Sequence, residues 1–258
     1  MRLNSPLLDL SRLALAVIGT LVMASAATAA PTYGNIAAPG VYFGTGNVNG
    51  DWTINTDSNV EVALRVKNRG GPGTTFDGST GTYFVPGGFC VSGALACGGA
   101  VGTRAKWNYE FSVNTRANGA GTQDLTGLRL VMEVDTDAGL GFNWVALDVF
   151  SNWTTNFFYN GSTRASVNGV FTDDLPVAGE YGVQQSANPL FGNSGFGFVP
   201  GAGTYGLRLS AYSTSALGQQ TLLSQVQTSV QVVPEPGSLA LAGLALAGLG
   251  VARRRRAV

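Results

Sequence analysis

The chain has no histidine. That absence removes Ser-His-Asp and Cys-His nucleophile systems and the usual zinc sites, all of which need an imidazole. Cysteine is nearly absent: Cys90 and Cys97 are the only two, and with no histidine to join them their spacing fits no metal motif. Charge is sparse, at 12% of residues, and its formal balance of zero hides an asymmetry. The two ends hold six arginines (Arg2, Arg12, Arg253–Arg256) and two acids (Asp9, Glu235). The body between them has nine basic against thirteen acidic residues, a net of −4. Nucleic-acid binding is therefore disfavoured, because phosphate contact needs a broadly basic face. What these absences leave open is carboxylate-only hydrolysis and calcium chemistry.

What is present begins with a leader. Arg2 and Arg12 precede an apolar run, Leu13 to Val22, and then small residues through Ala30. A charged region, a ten-residue apolar core and an A-x-A site at Ala27 and Ala29 read as a secretory signal peptide over residues 1–29. Its partners are the Sec machinery and signal peptidase.

Helical periodicity is scarce between residues 31 and 232, and alternation of period two recurs. Val60, Val62, Leu64 and Val66 alternate with Glu61, Ala63, Arg65 and Lys67. Trp107, Tyr109, Phe111 and Val113 alternate with Asn108, Glu110, Ser112 and Asn114. The same pattern covers Leu128–Val134, Tyr205–Ala211 and Val226–Val232, with a less regular strand over Trp144–Phe150. One buried and one wet face per strand predicts antiparallel sheets. The expected fold is all-β, a single antiparallel β-sandwich of jelly-roll-like form over residues 30–232, with about eight to eleven strands. Residues 69–105 are rich in Gly, Thr and Ser and read as a loop excursion holding both cysteines. A second loop-rich stretch spans Val183–Gly203.

Four constellations are candidates for chemistry. In an exported chain Cys90 and Cys97 are expected to form a disulfide that ties down a local loop, the alternative being two unpaired thiols. Asp135-Thr-Asp137-Ala-Gly139 has the opening of a calcium loop, but Ala146 stands where an EF-hand needs its bidentate glutamate. Asp135 and Asp137 are thus the metal candidates, and a polar turn uses the same residues as well. No other cofactor is expected. Trp153, Phe158 and Tyr159 lie near turn signals and are the candidates for a sugar-stacking surface, although a two-sheet core also needs aromatic volume. Glu110, Glu133 and Asp148 lie on strands, and no spacing pairs any two as acid and base, so the chain is not expected to be an enzyme.

The most specific signal is the C-terminus. Val233-Pro234-Glu235-Pro236 is followed by Leu, Ala and Gly over residues 239–252, then by Arg253, Arg254, Arg255 and Arg256. The prolines hold an extended backbone. The uncharged span of 14 residues is short for a membrane helix, and the arginines form a cytoplasmic stop. The order and position of these three parts over residues 233–258 resemble the PEP-CTERM sorting signal of Gram-negative bacteria. The resemblance implies an exosortase as partner, an inner-membrane intermediate held by the 239–252 helix, and a cell-surface or extracellular-matrix destination. It also implies association with exopolysaccharide or biofilm. The body would then be a non-catalytic structural or adhesive sandwich; the alternative is a carbohydrate-binding module, with calcium as an optional ligand. Because the last strand ends at Val232, no stalk separates the folded body from the signal.

Overall fold

The computed structural model describes residues 30–42, 48–69, 74–90, 103–119, 123–139, 141–152, 156–160, 175–190, 198, 201–234 and 244. Twelve strands form two six-stranded sheets stacked face to face, so the fold is an all-β sandwich. The first sheet holds β1 (Thr32–Gly34), β2 (Trp52–Asp57), β3 (Val60–Asn68), β6 (Trp107–Asn114), β10 (Gly182–Ala187) and β9 (Phe157–Tyr159), in that order. The second holds β4 (Thr75–Asp77), β5 (Thr82–Pro86), β12 (Gln220–Val233), β11 (Gly203–Thr214), β7 (Leu128–Asp135) and β8 (Trp144–Asp148). A single turn of helix, α1 (Val149–Asn152), follows β8.

The alternating stripes do what their period requires. Val60, Val62, Leu64 and Val66 of β3 and Trp107, Tyr109, Phe111 and Val113 of β6 face Leu130, Met132, Val134, Leu207, Leu209, Val226 and Val230 across one core. Polar residues of β2 bond across to the second sheet. Thr53 Oγ1 meets Thr228 Oγ1 at 3.2 Å, and Asn55 Nδ2 donates to Ser224 Oγ at 3.2 Å.

The expectation of one wet face per strand fails for the first sheet. Glu61, Arg65, Asn108, Glu110, Ser112 and Gln184 point away from the core, yet all are buried. The chain before β2 covers Glu61, Arg65 and Gln184. The Ala37 N–H donates to both Glu61 carboxylate oxygens at 3.0 Å. Gln184 accepts from the Tyr42 N–H at 3.2 Å and donates to the Gly40 carbonyl at 2.9 Å. Apolar contact completes the cover: Ile36, Ala38, Trp52, Ile54, Ala63, Phe157 and Tyr159 form a second core, and Tyr42 stacks on Phe157 at 4.4 Å. Tyr159 lies so close across β10 that a Cβ on Gly182 would meet its ring at 1.8 Å.

Two segments expected to be loops contain strands, and so does the aromatic run read as lying near turn signals. β4 and β5 lie inside residues 69–105, and β5 pairs with β12 in parallel, so the second sheet is mixed rather than antiparallel. β10 lies at the start of the Val183–Gly203 stretch and is an interior strand, paired with β6 and β9. β9 is the Phe-Phe-Tyr run itself. β5 and β9 are short and β10 carries glutamine, and strands of all three segments take pairing partners distant in sequence.

Candidate functional site

Two of the aromatics expected to form a sugar-stacking surface are buried. Phe158 is 4% exposed in the main core and Tyr159 is fully buried in the second. Neither presents a face to a sugar, because β9 pairs with β10 and has cores on both sides. Trp153 lies outside the described residues. Another aromatic pair takes the exposed position. Phe142, 53% exposed, stacks on Trp144 at 4.9 Å on the outer face of the second sheet. Gly206 of β11 makes room for them: a Cβ there would meet Trp144 at 2.5 Å and Phe142 at 2.9 Å.

Arg208 lies next along the outer face of β11. Its guanidinium sits 4.6 Å over the Trp144 ring and is bidentate to Glu133 of β7. The hydrogen bond to Glu133 pushes the Arg208 pKa up and fixes its charge. The two rings and the ion pair form an ordered, polar-edged aromatic surface. Trp144 carried a strand signal, but the clue to its exposure was only the glycine at 206, whose partner across the sheet no local pattern reveals.

The remaining carboxylates are engaged separately. Glu110, on the covered face of the first sheet, accepts from Arg65 Nε at 2.7 Å and lies 3.5 Å from Lys67 Nζ. Asp148 accepts from Arg129 Nε at 3.0 Å. Asp135 is buried, and its Oδ1 accepts from the Asp137 and Asn143 N–H groups at 3.2 and 2.9 Å. Its Oδ2 has no hydrogen-bond partner. Asp137 turns back on its own loop, accepting from the Gly139 N–H at 3.0 Å. Both carboxylates thus act as acceptors in the β7–β8 turn, and among the described residues no group of three or more acid, cysteine or histidine side chains gathers where a metal could sit.

Cys90 is buried, with its N–H bonded to the Arg104 carbonyl at 2.8 Å. Cys97 lies outside the described residues, so the expected bridge between them is carried forward as a proposal.

The C-terminal junction is tight. β12 pairs with β5 as far as Val233 opposite Pro86, and the Gly87 N–H donates to the Val233 carbonyl at 2.9 Å. The strand therefore ends one residue later than the alternation predicts. Pro234 follows at once, and Glu235, Pro236 and Arg253–Arg256 lie outside the described residues. Among the described residues no helix is long and apolar enough to cross a membrane; apart from Leu244, the 239–252 span lies outside them. Residues 232–256 match the family of the PEP-CTERM protein-sorting motif. The chain ends in a PEP-CTERM sorting signal. That signal marks an exported protein sorted by an exosortase through a membrane-anchored intermediate in Gram-negative bacteria. The match begins at Val232, so signal and sandwich share the last residues of β12. No curated protein and no solved structure matches the chain. The PEP-CTERM match therefore speaks for the address, and the body must be read from its own geometry.

Proposed function

We propose that this PEP-CTERM protein is a non-catalytic, structural or adhesive β-sandwich of the cell surface or extracellular matrix, associated with exopolysaccharide. The observation that carries the reading is the junction: a sandwich with both sheets packed runs directly into the sorting signal, with no intervening domain. The carboxylates support the non-catalytic part. Glu110, Glu133 and Asp148 are each engaged by a separate arginine, and no two of them are paired with one another. The local disulfide between Cys90 and Cys97 belongs to this proposal, since export places the chain in an oxidising compartment. Deleting the gene should loosen matrix cohesion, and restoring the chain without residues 233–258 should not repair it. Full repair by the truncated chain would count against a surface role.

A second reading has a specific observation behind it. The Phe142–Trp144 stack on a sheet face, flanked by a fixed Arg208–Glu133 pair, suits the apolar face of a sugar ring and its hydroxyls. This makes the sandwich a carbohydrate-binding module, with the site moved from Trp153, Phe158 and Tyr159 to β8 and β11. Saturable glycan binding lost in Phe142→Ala and Trp144→Ala supports this reading; binding unchanged by both removes it.

A further inference from the structure

The end of the sandwich from which the sorting signal leaves carries exposed apolar side chains. Tyr83 and Val85 of β5 are buried in the main core, so Phe84 and Pro86 point to the outer face of the second sheet. Val232 of β12 is likewise in the core, and Val233 turns to that outer face opposite Pro86. Phe84, 38% exposed, Pro86 and Val233, 39% exposed, are thus neighbours on one surface. Phe89, 46% exposed, follows after Gly87 and Gly88, and the Gly87 N–H is the group bonded to Val233. The β7–β8 turn reaches the same end. Gly203 pairs with Val232, and a Cβ on Gly203 would meet the Ala138 Cβ at 2.5 Å. The exposed Phe142 belongs to this turn. Exposed apolar side chains gathered in this way mark a surface for interaction.

We propose that, in the membrane-anchored intermediate, this end of the body rests on the lipid surface. The span 239–252 is the anchor, and Phe84, Phe89, Phe142 and Val233 sit at the headgroup boundary. The chain itself brings the bilayer there. Only Glu235, Pro236, Gly237 and Ser238 separate Pro234 from the uncharged span. The path from Pro234 to Leu239 covers at most about 18 Å even when fully extended. A tether this short gives the patch a high effective concentration of lipid, so a small apolar area is enough to dock it. The contact is shallow, because the backbones beneath these side chains are paired in the sheet. Phe84, Phe89 and Val233 lie outside the Phe142–Trp144 pair, so the proposal stands whether or not that pair binds sugar.

Tryptophan fluorescence of the full chain in vesicles of phosphatidylethanolamine and phosphatidylglycerol tests it, with bromine on the acyl chains as quencher. Phe84→Trp, Phe89→Trp and, as a control, Leu217→Trp are each compared with the unsubstituted chain. Leu217, 87% exposed, lies in the β11–β12 turn, at the far end of a 14-residue strand of roughly 40 Å. Vesicle-bound chain is recovered by flotation, and an unchanged melting curve checks folding. The fluorescence added at positions 84 and 89 should fall about twofold or more, with shallow bromines quenching more than deep ones. That added at position 217 should not change. Adding Phe84→Ser to the Phe89→Trp chain should reduce its quenching about twofold, because docking loses apolar area; a tether without docking would leave it unchanged. Failure to float, no quenching at 84 and 89, equal quenching at 217, or indifference to Phe84→Ser would overturn the proposal. So would emission at 84 and 89 that shifts to the blue with chain concentration and not with lipid, since a second copy would then be the cover.

Discussion

Glu61 shows how a single covered side chain shapes the response to pH. Burial pushes its carboxyl above the ordinary value of 4.5, with the Ala37 N–H pulling the other way. A raised folded pKa contributes stability that is present below the unfolded value and is lost as pH rises through the folded one. At neutral pH Glu61 therefore carries a cost. Glu61→Gln keeps an oxygen for Ala37 and removes the charge, so it should raise the melting temperature at pH 7, and the gain should vanish below pH 4.5. Thermal melts at the two pH values check this; an equal gain at both would contradict it. Glu110 matters instead as the counter-charge of Arg65. Replacing it with Gln leaves Arg65 buried without its counter-charge and should cost about 3–5 kcal/mol by urea unfolding. Gly182→Ala, which drives a methyl into the Tyr159 ring, should cost about 1–3 kcal/mol.

At the level of elements, the strands with long apolar stripes were legible: β3, β6, β7, β11 and β12 each announce one core face by alternation alone. The opposite faces were not. Glu61, Arg65 and Glu110 read as wet because a strand's pattern cannot show that a distant segment, here residues 36–42 and Val48–Gly50, will lie over it. β5 and β10 escaped for a related reason, since a short strand is stabilised mainly by neighbours far along the chain. The exposed aromatics failed the same way: Phe158 and Tyr159 sit between two cores, and Gly206 selects Phe142 and Trp144 for the surface. The cysteine loop offers a test at this scale. Phe89 bridges Ala105 and Cys90 bonds Arg104 at the base of the loop. Backbone pairing thus closes that loop already. Mass measurement of the exported chain should find Cys90 joined to Cys97, and reduction should shift the melting temperature by no more than a few degrees. Two free thiols in the exported chain would contradict the bridge.

For the molecule as a whole, the address was readable from sequence because three parts must coincide in order at the C-terminus. The occupation was not readable, because it depends on which faces the fold covers. The junction ties the two together. Val233 is still bonded to Gly87 when the signal begins, so a processing enzyme must work against folded structure. A flexible linker placed after Val233 should speed processing in a pulse-chase experiment, and unchanged kinetics would show that access is not limiting. The central claim is sorting by an exosortase, and it is tested most directly by following the full chain in a PEP-CTERM-sorting host with and without that enzyme. With the exosortase present, the chain should leave the inner membrane and reach the surface or medium. Without it, the chain should accumulate in the inner membrane. The same location in both strains would contradict the account.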